Sequence, residues 1–177
     1  NKMMKKKLLW GLFLIFGCQL EPTHMKEEPT NQYDKNSVLM DTRSAFEFES
    51  FHISGSVNIN SGDYLILKNA KPVKRILDPD ITQIIERLAK RGISPDKKII
   101  LLSNKKDSDE NKKWRWLLRQ FGVYNVELEA FDQYREIYKT VTPQAPPAAV
   151  PVWEVKDAKS ILKKSDQCFV KWSDEAC

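Results

Sequence analysis

Ser103, Asp41, Arg43, Glu47, His52 and the cysteines are the residues whose types and placing admit chemistry in this chain. Ser103 closes the apolar run Ile99-Ile100-Leu101-Leu102 and opens the loop Asn104-Lys105-Lys106-Asp107-Ser108. A serine hydroxyl is protonated at neutral pH and is a poor nucleophile without an adjacent base. No histidine lies near Ser103 in the chain, so a serine hydrolase there has no visible base. The chain has 2 histidines and 3 cysteines, and none of the cysteines falls between Cys18 and Cys168. That leaves too few ligands for a His/Cys metal site, and neither a metal nor a cofactor is expected. Asp41 and Arg43 flank Thr42 where an apolar run reaches the surface, and read as a structural ion pair. His52 reads as a packed, hydrogen-bonded turn residue, and isolated His24 as solvated. Asp107, Asp109 and Glu110 suit the start of a helix, where carboxylates complement the unpaired N–H groups. Lys105 and Lys106 are either a solvated turn or a hold for an anionic group of a partner.

The elements that would position these residues follow from hydrophobic period and turn chemistry. Val38-Leu39-Met40 reads as a buried strand. Ser44 and Glu47 have the spacing of a capping box at the start of a short helix through Phe51. Gly55 turns the chain into a strand over Val57-Asn58-Ile59. Ser61-Gly62-Asp63 is a turn, Tyr64–Leu67 is a helix or a strand, and Lys68–Arg75 is a basic loop. Asp78 at N-cap and Pro79 at N1 open a helix whose Ile81, Ile84, Ile85 and Leu88 form one face, ended by Gly92. Lys98–Leu102 is a central strand by its continuous apolar run. Asp109–Phe121 is a helix presenting Trp114, Leu117, Leu118 and Phe121, closed by Gly122. Any left-handed residue in the Ser103 loop, which has no glycine, falls to Asn104. Asn125–Leu128 is a strand and Phe131–Tyr138 a short helix. This alternation predicts an α/β fold, with a central, mainly parallel sheet and helices on both faces. Ligands of such sheets bind beyond the carboxyl ends of the strands, here the Ser103 loop.

Asp41-Thr42-Arg43, Phe46-Glu47-Phe48, His52-Ile53-Ser54-Gly55-Ser56 and Asn58-Ile59 together resemble the rhodanese-like domain family. Asp41, Arg43, Glu47, His52 and Gly55 carry its motif, and Ser56 stands where alanine is usual. The resemblance implies a rhodanese-like domain over 37–142. It also implies a site. In active members the strand at 98–102 ends in a cysteine whose sulfur is cradled by loop N–H groups; it takes a sulfane sulfur from a donor and passes it on. Ser103 occupies that position here, and oxygen holds no stable transferable sulfur. A later Gly-Gly of the family is Ala130-Phe131, which places Phe131 to fill the space beside the former site. The acidic residues at 107, 109 and 110 repel an anionic donor.

The ends of the chain carry a different message. Net charge is +5, and Lys2, Lys5, Lys6 and Lys7 account for four of those charges. A chain near neutrality beyond them lacks the footprint of a nucleic-acid binder. Lys5-Lys6-Lys7 followed by apolar Leu8–Phe16 reads as a signal peptide over 1–17, too short to span a bilayer. Gly17-Cys18 resembles the bacterial lipoprotein signal, which implies a lipidated Cys18 and a flexible tether over 18–36. Gln19 in place of Asp points to the outer membrane, facing the periplasm. A proline-rich spacer, 143–151, is either extended polyproline or packed along the domain. In the tail, 152–177, Val155, Ala158 and Leu162 have helical spacing and Gln167–Trp172 reads as a strand or extended segment. Cys168 and Cys177, an even pair in an oxidising compartment, form a disulfide.

Three functions follow as expectations. The leading one is a catalytically inactive rhodanese-like envelope lipoprotein, held at the membrane through Cys18, that binds or scaffolds a protein partner. The alternatives are a divergent sulfurtransferase whose sulfur carrier is a tail cysteine, and a serine hydrolase at Ser103.

Overall fold

Two continuously buried apolar stretches build the middle of the sheet. The computed structural model describes residues 36–139 and 144–177; the signal segment, Cys18, the tether with His24, and Pro143 lie outside the described residues. Strand β1 (Ser37–Asp41) sits between β2 (Val57–Asn58) and β5 (Lys98–Ser103), and β6 (Val126–Ala130) pairs with the far edge of β5. All three pairings are parallel, with Met40 opposite Leu101 and Leu101 opposite Leu128. The strand predicted to be central, 98–102, is an interior strand.

The two faces are covered by different helices. Val38, Met40, Ile99 and Leu101 point into the larger core, shared with α2 (Ile81–Ala89), α3 (Asp109–Gln120) and α5 (Ala158–Ser165). Leu39, Ile100 and Leu102 point the other way, onto Ile53 and onto Phe131 and Tyr134 of α4 (Phe131–Tyr138). This period-two division is what a parallel sheet buried on both faces requires. The remaining helix, α1 (Ala45–Ser50), carries the expected capping box: Ser44 Oγ accepts from the Glu47 N–H, and Glu47 accepts from the Ser44 N–H.

The structure corrects several local expectations. Tyr64 closes a 3-10 turn, Ser61–Tyr64, and the segment after it is a strand. Lys68–Arg75 is no loop but most of a hairpin, β3 (Leu65–Ala70) and β4 (Val73–Leu77), joined by Lys71-Pro72. Leu65 opposite Leu77 and Ile66 opposite Ile76 hold its base; the lysines on its outer half hid the strand period. Helix α2 starts two residues late, with Asp80 as N-cap, because Asp78 instead accepts the Asp80 N–H and turns the chain. Val155 precedes α5, whose N-cap Asp157 takes a left-handed φ of 57° and accepts from Ser160 N–H. Gln167–Trp172 is mostly helical rather than extended, Asp166–Val170 forming a widened helical turn.

That turn matters to the core. Phe169 is fully buried with its ring edge-on to Trp114 at 5.1 Å, and Tyr64 meets Trp114 from another side at 5.0 Å. Cys168 bonds to Cys177, as expected, with S–S 2.06 Å. The spacer takes the second of its two predicted forms: it packs along the domain. Val150 N–H donates to Ala89 O, and Trp153 Nε1–H donates to Phe121 O at 2.8 Å. Gly92, with φ of 78°, leaves room for this; a Cβ there would stand 2.6 Å from the Pro147 side chain. No helix among the described residues is long and apolar enough to cross a membrane.

Candidate functional site

The parallel register brings the carboxyl ends of β1, β5 and β6 together, and with them Asp41, Ser103 and Ala130. Ser103 is buried at the end of β5, beside Ala130 in the neighbouring strand, and its hydroxyl makes no hydrogen bond among the described residues.

Asp41 and Arg43 form a buried, bidentate pair. Arg43 Nη2 lies 2.6 Å and Nε 3.0 Å from the carboxylate, and a second Nη2–H bond reaches Phe51 O. The guanidinium also lies 3.2 Å from the centre of the Phe131 ring. Phe131 is buried, and Phe51 meets it edge-on at 6.0 Å. With these partners, Arg43 is spent on structure. The rigid bidentate fork and the flat stacking of a planar guanidinium on a ring are properties of arginine that lysine lacks.

The loop after Ser103 is tied down from both sides. Asn104 Nδ2–H donates to Glu47 Oε1 at 2.7 Å, linking the loop to α1. The hydrogen bonds from Ser44 first, then that from Asn104, hold the Glu47 carboxyl below its ordinary value of 4.5. Lys106 Nζ lies 3.5 Å from Glu129 of β6. Ser108 caps α3, its Oγ accepting from the Asn111 N–H. Asp109 and Glu110 stand in the first turn of α3, and Glu110 accepts from Ser61 N–H. Lys105 and Asp107 are exposed. Asn104 does not take the left-handed conformation; among the described non-glycine residues Asp157 alone has a positive φ.

Sequence reasoning missed Asn111. Its carboxamide is fully buried, with Nδ2 donating to Lys106 O at 3.0 Å and Leu101 O at 3.3 Å, and Oδ1 accepting from Thr42 Oγ1 at 2.8 Å. One side chain therefore joins the end of β5, the loop and the residue between Asp41 and Arg43. The signal was present: position 111 lies on the same stripe as Trp114 and Leu118, and a polar residue there must be satisfied.

His52 is exposed, stacked on Phe48 with ring centres 4.2 Å apart, and its Nδ1 lies 3.0 Å from Phe48 O. Gly55 takes a φ of 84° beneath Gln144. Neither reaches the Ser103 loop through any bond among the described residues. No cluster of His, Cys, Asp or Glu with metal-holding geometry occurs among those residues. Cys168 and Cys177 are joined to each other.

A parallel α/β sheet, helices on both faces and a capped loop at the carboxyl end of a central strand define the class of protein. The rhodanese-like domain model matches residues 25–128, more than half of the chain, and the chain belongs to that family. No curated protein matches it.

Proposed function

We propose that this rhodanese-like domain is a binding or scaffold module of the bacterial envelope that has given up sulfur transfer. The observation that carries the reading is Ser103. It stands at the end of β5, where the family resemblance calls for the sulfur-accepting cysteine. Sulfur transfer needs a polarisable atom that takes a sulfane sulfur and releases it as the loop stabilises the anion. An alcohol meets neither need.

The surroundings support the same conclusion. Loop groups that would receive an anionic donor are engaged elsewhere: Asn104 on Glu47, Lys106 on Glu129, the Asn111 carboxamide on the backbone. Asp107, Asp109 and Glu110 add negative charge along the approach. Phe131 lies under Arg43 next to the β6 end. A tail-cysteine carrier is disfavoured because Cys168 and Cys177 are bonded to each other and Cys168 is buried. In this reading Cys18 is lipidated, the chain faces the periplasm from the outer membrane, and its partner is a protein.

The assay is thiosulfate:cyanide sulfurtransfer by the purified chain. The expected rate equals that without protein. Turnover lost in Cys168→Ser or Cys177→Ser would replace this reading with a tail-thiol enzyme.

A further inference from the structure

The β3–β4 hairpin has no part in the site above, and its composition is unusual for a solvated ribbon. From Tyr64 to Leu77 the chain carries Lys68, Lys71, Lys74 and Arg75 and no acidic residue. Every residue from 66 to 75 is exposed. Among them are aliphatic side chains that a free surface seldom presents together: Ile66 is 40%, Leu67 58% and Val73 74% exposed. Lys74 pairs with Asp166 at 3.1 Å. The side chains of Lys68, Lys71 and Arg75 have no ion-pair or hydrogen-bond partner among the described residues.

The geometry points to an anionic lipid surface as the occupant: we propose that the hairpin tip inserts at the headgroup level, with its aliphatic side chains below and its cations on the phosphates. Three features favour lipid over another protein. Apolar and basic residues alternate within a few positions, the composition of interfacial anchors. The tip is exposed on both faces, so its occupant must surround it, which a fluid headgroup layer does. Strand addition is opposed by the chain itself: the pairing slips between Leu67 and Asn69, Lys68 sits at that irregularity, and Pro72 follows. Bulges, lysines and prolines are the devices that keep an edge from pairing.

The contact is independent of any lipid on Cys18, and the test removes that lipid. The full chain with Cys18→Ser carries an environment-sensitive fluorophore on Val73→Cys, or, as reference, on exposed Tyr124→Cys. It is mixed with vesicles of phosphatidylcholine alone or with phosphatidylglycerol added. The expected result is a blue shift and loss of access to an aqueous quencher at position 73 on the anionic vesicles only, diminished by salt, with position 124 unchanged. Lys68→Gln with Lys71→Gln should weaken this response about thirtyfold, from about 1 kcal/mol per cation near such a surface. These positions are exposed, so the fold is kept. A probe at 73 that stays quencher-accessible on anionic vesicles overturns the proposal, whether or not the chain binds them through its N-terminal segment. So does an equal response on neutral vesicles. Shielding of position 73 without vesicles that rises with protein concentration overturns it in favour of a second copy of the chain.

Discussion

Asp41 and Arg43 illustrate how completely a pair of residues can be engaged in structural contacts. Both are buried, and Arg43 spends its fork on the carboxylate and a carbonyl and its face on Phe131. Replacing one partner strands a buried charge, so Asp41→Ala should lower unfolding free energy by about 3–5 kcal/mol in a denaturant titration. A loss below about 1 kcal/mol would mean that the pair is solvated. Glu47 is the residue that connects motif and loop. Its carboxyl is held below 4.5, chiefly by the Ser44 hydrogen bonds and then by Asn104. A depressed carboxyl contributes stability that is present above its unfolded value and lost as pH falls through the folded one. The Asn104 side-chain amide should therefore report a titration with a midpoint below 4.5. Glu47→Gln should abolish that titration; its persistence in the variant would show that another group holds Asn104.

At the scale of elements, the strands of the parallel sheet, α3 and the capping box of α1 were readable because their signals are local and dense. Ile99–Leu102 is a continuous apolar run, and Trp114, Leu117, Leu118 and Phe121 repeat at helical spacing. The hairpin was not readable, since Lys68, Lys71, Lys74 and Arg75 interrupt its strand period and its buried residues lie at the base. The tail was misread for a different reason. Residues 166–170 turn helically where the disulfide and the insertion of Phe169 beside Trp114 act together, and both are tertiary effects. This gives the disulfide a measurable role. The oxidised protein should show no free thiol at 168 or 177. Reduction should release residues 165–177 at a cost of about 2–3 kcal/mol, as expected for a short closed loop. Hydrogen exchange should then rise in that segment while β1 and β5 stay protected. Two free thiols in protein purified under oxidising conditions would contradict this.

For the whole molecule, the fold followed from sequence pattern, and a parallel α/β sheet puts the Ser103 loop where its strand ends. The site's internal wiring did not. Asn111 joins three segments through hydrogen bonds that no spacing rule announces, apart from the oddity of a polar residue on a buried stripe. That wiring holds the loop that opens on Ser103, the residue that the proposed function puts at the acceptor position. The most direct test is the mass of the intact chain after incubation with thiosulfate and removal of excess donor. Ser103→Cys, which places a sulfur atom at the end of β5, serves as the positive control and should gain one sulfur that a thiol reductant removes. The natural chain should gain none. A natural chain that gains a reductant-labile sulfur would contradict the central claim, and the peptide bearing it would locate the true site.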